Sequence, residues 1–274
     1  MSPMTIVSEE NDLLNKDKNI SKRLKLSGFR LEDLEVFNWG TFHGKVWKME
    51  PHRATSLLCG ANGSGKSTLV DAFLTLLVPS QKRNYNVASG GEKKRERDEK
   101  SYMLGAYGKK RDEEQNISKI EYLRGKNDYS VLLAYFYNEN LDKEVTLAQV
   151  FYFQNDVFRR LYVVAETHLT VQKDFSDFAH MKDLKKQLKQ IPLLDVFEQF
   201  GEYNARFRKL MGIRSEKAMD LFNQTVAIKE IGNLNDFIRK HMLEKVDAIE
   251  RMNTLRVNFN NLDKAHQAIV KAKH

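Results

Sequence analysis

Residues 60–68 read GANGSGKST and match the phosphate-binding pattern G-x-x-x-x-G-K-[ST] in full. The apolar run 55–59 (TSLLC) comes directly before the loop, and the helix-forming run 67–78 follows it and stops before Pro79. A strand, a glycine-rich loop and a helix in this order place the helix N-terminus, with its free N–H groups, against an anion. The sequence therefore predicts a nucleotide-binding site, and the motif alone leaves open which class of NTPase it serves.

The chemistry of the loop assigns a role to its residues. Glycines allow the backbone to wrap closely, so that successive N–H groups point at the α- and β-phosphates. Lys66 is predicted to reach the β- and γ-phosphates, and the Ser67 hydroxyl to hold Mg2+. ATP and Mg2+ are thus the predicted cofactors, and the predicted binding residues are Gly60, Asn62, Gly63, Ser64, Gly65, Lys66, Ser67 and Thr68.

Composition narrows the class of protein further. The chain has 274 residues, a formal net charge of +8 and one cysteine, Cys59, which excludes an internal disulfide. The charge favours a polyanionic partner, although a solvated basic surface explains it equally well. The sequence has neither a run of about 20 apolar residues nor a signal-peptide pattern, so we expect a cytoplasmic protein.

The pattern along the chain predicts its organisation. Residues 1–28 are polar without periodicity and are predicted to be a flexible leader, whereas residues 29–232 are predicted to form the globular head. Within the head we expect a β-hairpin over 31–49, the phosphate-binding loop at 60–68, a charged surface loop over 80–115 and a helical segment over 174–232. Four short β-branched and aromatic runs predict an antiparallel meander over 117–166.

Residues 233–274 contain neither glycine nor proline, and apolar residues recur in them at steps of three, four or seven. An uninterrupted helical run of this length favours a coiled coil, with a long helix packed back on the head as the alternative.

Two further elements of an ATPase site are missing from the sequence or misplaced in it. No aliphatic run followed by Asp-Glu occurs after the loop, although such an acidic strand normally holds Mg2+ and polarises the attacking water. Asp156 and Glu166 are the nearest approximations, and both fall in the predicted meander. The stretch 88–92 (ASGGE) is similar to an ABC signature, but it lies inside the charged loop, so we interpret it as part of that loop.

Taken together, these patterns predict an α/β fold: a P-loop, ABC-type ATPase head half with an antiparallel meander, then a helical segment and the start of a coiled coil. This order resembles the N-terminal half of SMC-like heads. The stretch 33–43 (DLEVFNWGTFH) resembles their opening strand pair, and 221–231 (LFNQTVAIKEI) resembles their Q-loop region. By that resemblance Gln224 contacts Mg2+ and the attacking water.

Among SMC-like families, the sequence segments VFNWGTFHG and GANGSGKSTLVDAFLTLLVP are most similar to the MukB-related JetC-type ATPases of Wadjet anti-plasmid systems. The resemblance implies a homodimer of ATP-bound heads that extrudes double-stranded DNA loops without sequence preference. It also implies kleisin-like and winged-helix partners and a separate nuclease subunit. Basic residues near the loop become candidate DNA contacts: Lys82, Arg83, Lys93, Lys94 and Arg95.

Three functions remain open at this point. The first is an SMC-like DNA-translocating ATPase in plasmid defence or chromosome organisation, and the second is a RecN- or RecF-type DNA-repair ATPase. The third is a nucleotide-dependent binding module without hydrolysis, which the missing acidic strand permits. We expect ATP hydrolysis only when a signature motif and an acidic strand are supplied from outside this sequence.

Overall fold

The computed structural model describes residues 5–8, 28–83, 98–112, 117–176, 178, 180–214, 216–227 and 248–273. The chain divides into two compact units, Met1–Ala227 and Ile228–His274. None of the helices in these ranges combines the length and the apolar character that a membrane span requires.

The described part of the first unit contains four strands, two helices and then five strands, followed by two helices, a short strand and two further helices. The strands found among the described residues are β1 Thr5–Ser8, β2 Arg30–Trp39, β3 Phe42–Met49, β4 Ser56–Cys59, β5 Ala106–Asp112, β6 Ile117–Tyr122, β7 Ser130–Asn138, β8 Lys143–Gln154, β9 Val157–Ala165 and β10 Leu194–Phe197. Its helices are α1 Lys66–Leu77, α2 Glu99–Leu104, α3 Val171–Asp174, α4 Met181–Gln190, α5 Phe200–Met211 and α6 Glu216–Ala227.

A six-stranded antiparallel sheet in the order β10-β9-β8-β7-β2-β3 organises this unit. Successive side chains of a strand point to opposite faces, and β7 is apolar at nearly every position. Leu132 and Ala134 therefore face one core with α1 and α5, while Val131 and Leu133 face a second core with α3 and α4. Both faces of the sheet are covered, which explains the continuous apolar runs in the sequence.

The predicted mixed α/β fold, with a P-loop, an antiparallel sheet and a helical C-terminal segment, is confirmed. The predicted hairpin is present as β2 and β3, which pair from Leu34 with Met49 to Trp39 with Phe42. The strand before the loop is present as β4, and the helix after it is present as α1.

The structure corrects the prediction of which strands form the meander. β7, β8 and β9 pair as predicted, but β6 pairs with β5 in a separate two-stranded sheet. The physical reason is burial: β7 is apolar on both faces, whereas β6 alternates with charged residues and leaves Ile120 and Tyr122 exposed. A half-polar strand of this kind does not fit the two-sided core of the larger sheet.

The charged loop predicted over 80–115 is also corrected in its second half. Residues 98–112 contain α2 and β5, and α2 begins at a capping box in which Asp98 and Ser101 each bond the other's backbone N–H. It ends at Gly105, whose φ of 68° is in the left-handed region. Residues 84–97, with the signature-like stretch 88–92, lie outside the described residues.

Two short strands were missed because their pairing is non-local. Within the range predicted as a leader, Thr5–Ser8 form β1, which pairs antiparallel with β4 from Thr5 opposite Cys59 to Ser8 opposite Ser56. Within the predicted helical segment, β10 pairs with β9 at the edge of the large sheet. Each strand has four residues, too few for a clear alternating pattern in the sequence.

The second unit is described as one helix, α7, which spans Ala248–Lys273. Large apolar residues of α7 are exposed at successive steps of three, four, three and seven: Met252, Leu255, Phe259, Leu262 and Ile269. Such spacing puts these side chains in one stripe along the helix.

Candidate nucleotide-binding site

The predicted phosphate-binding loop joins β4 to α1. Gly63 and Gly65 have φ values of 80° and 99°, a conformation that other L-residues adopt only with strain. Gly65 is the N-cap of α1, makes no side-chain capping bond, and is followed by a first turn without acidic residues. The first N–H groups of α1 therefore have no side-chain acceptor from the cap, which is the arrangement that receives a phosphate.

The Lys66 side chain reaches back to the start of the phosphate-binding loop. Its ammonium Nζ donates hydrogen bonds to the backbone carbonyls of Gly60 at 2.7 Å and Ala61 at 2.9 Å. The backbone N–H of Ser64 donates to the same Ala61 carbonyl over 3.2 Å, so the loop turns back on itself. An ammonium group bonded to carbonyls can transfer to an anionic phosphate, which is the stronger acceptor.

A polar group inside the loop points to the same ligand. The Oγ atom of Ser64 is buried and has no hydrogen-bond partner among the described residues. Buried hydroxyls are normally hydrogen-bonded, so an acceptor such as a phosphate oxygen would complete this site. Gly60, Asn62 and Gly63 are exposed, and residues 64–68 are half-buried.

The β2–β3 turn supports the loop from below, a feature that sequence analysis missed. A Cβ atom on Gly65 would lie 2.7 Å from Cζ of Phe42, and one on Gly40 would lie 2.8 Å from Cγ2 of Thr68. These approaches are closer than real Cβ contacts, so both glycines are required by packing. The sequence predicted the hairpin and its turn, but no local signal indicated that this turn contacts the loop.

Aromatic packing fixes the turn against α2. Trp39 is fully buried and stacks on Tyr102 with ring centroids 4.8 Å apart. The N–H of Gly40 donates to the Tyr102 carbonyl over 2.8 Å. In the described structure Trp39 is therefore a core residue.

Gln224 is placed by α6, and its side chain lies outside what the structure describes. The helix that carries it packs near α1: Phe222 meets Phe73 edge-on at 6.0 Å, and Nδ2 of Asn223 donates to the Lys82 carbonyl over 2.8 Å. The role of Gln224 stays a prediction.

The predicted DNA contacts near α1 separate into different environments. Lys82 is half-exposed and pairs with Asp220 at 2.8 Å. Arg83 differs from the prediction: its side chain is 1% exposed, donates to the Val78 carbonyl and pairs with Glu99. A guanidinium buried in this way holds the end of α1 to α2 and does not present itself to a phosphate backbone. Lys93, Lys94 and Arg95 lie outside the described residues.

Asp156 and Glu166, the nearest approximations to a catalytic acidic strand, have cationic partners of their own. Asp156 lies in the turn between β8 and β9 and pairs with Lys126 at 2.7 Å, which lowers the pKa of its carboxyl. Glu166 follows β9 and pairs with Arg206 at 2.8 Å. Asp156 thus lies in a turn and Glu166 just after a strand of the large sheet, in keeping with their place in the predicted meander.

The strand, loop and helix together define a P-loop nucleotide-binding domain. Residues 31–92 match the family model described as the P-loop containing region of AAA domain, which spans the β2–β3 hairpin, β4 and α1. A solved structure described as "Structural biochemistry of ATP-driven dimerization and DNA stimulated activation of SMC ATPases" is similar at 21% identity and a TM-score of 0.31. That match covers 60% of this chain and 93% of the other.

Proposed function

We propose that this chain is the ATP-binding N-terminal head segment of an SMC-like ATPase. The observation that carries the proposal is Lys66 at the start of α1, held across a loop whose glycines adopt left-handed conformations. In the complex with ATP, Lys66 leaves the Gly60 and Ala61 carbonyls and neutralises the β- and γ-phosphates. The backbone from Gly60 to Thr68 donates N–H groups to the phosphate oxygens.

The loop also fits the predicted magnesium ion. Mg2+ would neutralise phosphate charge, and Ser67 in the first turn of α1 would offer it a hydroxyl oxygen, the kind of ligand that Mg2+ prefers. The remaining ligands would come from the phosphates, from water and, by the SMC-like resemblance, from Gln224.

Hydrolysis needs groups that complete the site. Among the described residues β4 pairs only with β1, and Leu57 on β4 is 59% exposed. A P-loop strand with an exposed leucine has room for a further neighbour. We propose that this neighbour carries the acidic strand and that the signature motif arrives on a second head, so that the ATP site is composite.

Within SMC-like proteins, the proposed assignment is a JetC-type subunit of a Wadjet-type complex that extrudes DNA loops. It rests on the sequence resemblance of the β2–β3 hairpin and the loop. Its partners would be a second copy of the head, kleisin-like and winged-helix subunits and a nuclease subunit, in the cytoplasm. A chromosome-organising MukB- or condensin-like ATPase and a RecN-like repair ATPase are the alternatives from the same class.

The domain organisation we propose keeps the head over 29–232 and a coiled-coil arm over 233–274. The division of the chain after Ala227 and the exposed apolar stripe on α7 support it. An exposed stripe of this spacing is stabilised when a second helix covers it.

DNA binding is the second part of the proposal, and helix α4 supports it. Leu184 and Leu188 bury one side of α4. Lysines on the remainder include Lys182 and Lys186, which line a groove of about 650 Å³ that also contains Lys126, Asp128 and Asp183. Amino groups on an exposed helix can contact phosphates without reading sequence.

The DNA proposal is tested with a duplex of arbitrary sequence. A triple variant, Lys182→Gln with Lys186→Gln and Lys189→Gln, should weaken binding and reduce the salt dependence of affinity, because fewer counterions are released. A second triple variant at Lys143, Lys264 and Lys271 removes the same charge elsewhere and serves as the control. Equal losses in both would assign DNA binding to net charge rather than to α4.

The nucleotide proposal is tested by titrating MgATP into wild type, Lys66→Ala and Lys186→Ala. Lys66→Ala should abolish detectable binding while circular dichroism shows an unchanged fold, and Lys186→Ala should bind as wild type does. Undiminished binding by Lys66→Ala contradicts the site. ATPase assays with the chain alone, and then with any downstream product of the same locus, separate a composite ATPase from the alternative of a non-hydrolysing binding module.

A further inference from the structure

Arg124 is a buried cation whose guanidinium is surrounded by backbone carbonyls. The residue is 5% exposed and lies between β6 and β7. Its Nη2 atom donates to the carbonyls of Gly40 and Tyr102, each at 2.8 Å, and its Nη1 atom donates to the Phe42 carbonyl at 3.2 Å. Its Nε atom donates to the Met103 carbonyl at 2.5 Å.

This environment is unusual for a buried arginine. Buried charges are normally paired with an opposite charge, because desolvation costs several kcal/mol per ion. Burial lowers the pKa of the Arg124 guanidinium to about 10, with only the charge of Asp128 opposing that shift. The group stays protonated at neutral pH, and its donors hold two separate chain segments, the β2–β3 turn and the end of α2.

The β2–β3 turn is the support of the phosphate-binding loop. The Phe42 ring fills the space where a Gly65 side chain would be, at 2.7 Å from the Cβ position, and Gly40 lies under Thr68 in the same way. A displacement of the turn would therefore change the packing against Gly65 and against Thr68, at the start of α1. Arg124 is two contacts away from the loop and touches neither Lys66 nor Ser67 through any described hydrogen bond.

We infer that Arg124 is a positioning residue for the phosphate-binding loop: by holding the carbonyls of Gly40 and Phe42 it fixes the turn on which Gly65 and Thr68 rest. Nucleotide affinity then depends on a side chain outside the nucleotide contacts. The inference rests on the proposed function, since it names what keeps that same site in its binding conformation.

The substitution Arg124→Lys tests this role, because lysine keeps the charge but cannot offer donors in the planar fork that reaches both segments. We expect MgATP affinity to fall by about tenfold or more, since the loop loses its fixed support. Leu188→Ala is the matched control. Leu188 is buried in the core on the opposite face of the sheet, so its substitution should lower stability without changing any contact of the turn. Its affinity should stay within about twofold of wild type when both are measured well below their melting temperatures.

Two further measurements separate positioning from general destabilisation. Hydrogen exchange of the Gly40 amide, which donates to the Tyr102 carbonyl, should be faster in Arg124→Lys and unchanged in Leu188→Ala. In a double-mutant cycle, Phe42→Leu combined with Arg124→Lys should lose little more affinity than Phe42→Leu alone, because both act through the same turn.

The outcomes distinguish this inference from the proposed function. If wild type binds MgATP, Lys66→Ala does not, and Arg124→Lys binds as wild type does, the positioning role is wrong and the nucleotide site stands. Equal losses of MgATP affinity in Arg124→Lys and Leu188→Ala would also contradict the positioning role. If wild type fails to bind MgATP, the proposed function is wrong. The positioning role can still be tested by hydrogen exchange of the amides from Gly60 to Thr68. Unchanged exchange rates in Arg124→Lys would contradict that role, and faster rates would support it.

Discussion

The Tyr102 hydroxyl donates a hydrogen bond to the carboxylate of Asp71, and the two residues lie on different helices. Asp71 is fully buried in α1, four residues after Ser67, and Tyr102 is buried in α2. A carboxylate in the core is tolerated only when hydrogen bonds replace its lost hydration. The contact therefore joins the P-loop helix to the short helix that Arg124 and Trp39 also contact.

Substitution Tyr102→Phe removes this donor and keeps most of the packing. We expect the free energy of unfolding to fall by about 1–3 kcal/mol, because the buried carboxylate loses one of its hydrogen bonds. Urea denaturation measures the effect. Tyr122→Phe, at a tyrosine that is 45% exposed on β6, is the control and should change stability by less than about 0.5 kcal/mol. Equal midpoints for wild type and Tyr102→Phe would mean that the contact contributes nothing.

Gly65→Ala should damage the nucleotide site in two ways. The φ of 99° at Gly65 disfavours any side chain, and the added Cβ would lie 2.7 Å from Cζ of Phe42. The left-handed conformation alone costs about 1–2 kcal/mol, so we expect a larger loss of stability than that, together with loss of MgATP binding.

Gly44→Ala separates the two effects. Gly44 also has a positive φ, 73°, but a Cβ there would meet no atom within 4 Å. Gly44→Ala should therefore lose only the stability that a left-handed backbone conformation costs a residue with a side chain, and its MgATP binding should be unchanged. If Gly65→Ala and Gly44→Ala lose the same stability in thermal melts, Phe42 does not constrain the loop.

The neighbouring residues Lys82 and Arg83 should respond differently to the same substitution. Arg83→Met leaves the 3%-exposed Glu99 carboxylate with Arg160 as its remaining cationic partner, so we expect a loss of about 3 kcal/mol. Lys82→Met breaks an exposed pair with Asp220 and should cost less than about 1 kcal/mol. Each variant removes one positive charge, so the comparison of their urea midpoints isolates burial. Equal losses would show that Arg83 is not the structural residue described here.

The phosphate-binding loop could be predicted from the sequence because its constraints are local. The dihedral angles of Gly63 and Gly65, the reach of Lys66 and the helix that follows are all set within about ten residues. The same holds for the β2–β3 hairpin, whose turn and alternating pattern are contiguous.

The support of the loop could not be predicted because it is assembled from distant segments. Arg124 contacts the Phe42 carbonyl across 82 residues of chain, and no periodicity or spacing marks that pair. The edge strand β10 was missed for a similar reason: its half-buried side chains carry little signal, and its partner Ala165 is 29 residues from Leu194 (194 − 165). Arg83 was misassigned as a DNA contact because a buried and a solvated cation look alike in a sequence.

A final prediction concerns the pH dependence of stability at Asp33. Burial raises the pKa of the Asp33 carboxyl above its ordinary value of 3.8, against the opposing charges of Lys48 and His168, while Glu32 adds to the shift. The neighbouring carboxyl of Glu35 is raised by burial as well.

An acid whose pKa is higher in the folded state stabilises the fold only while it is protonated, so its contribution is lost as pH rises from 3.8 through the folded pKa. Relative to Asp33→Asn, wild type should therefore lose stability as pH rises above the ordinary pKa of 3.8, until Asp33 is fully ionised in the folded state. Asp156→Asn is the control, because Lys126 lowers the pKa of Asp156 and confines its effect to pH below 3.8, with the opposite sign. Urea midpoints above pH 3.8 measure the Asp33 difference, whereas wild type and Asp156→Asn should keep a constant difference over that range. A wild-type curve parallel to that of Asp33→Asn would show that the Asp33 pKa is not raised.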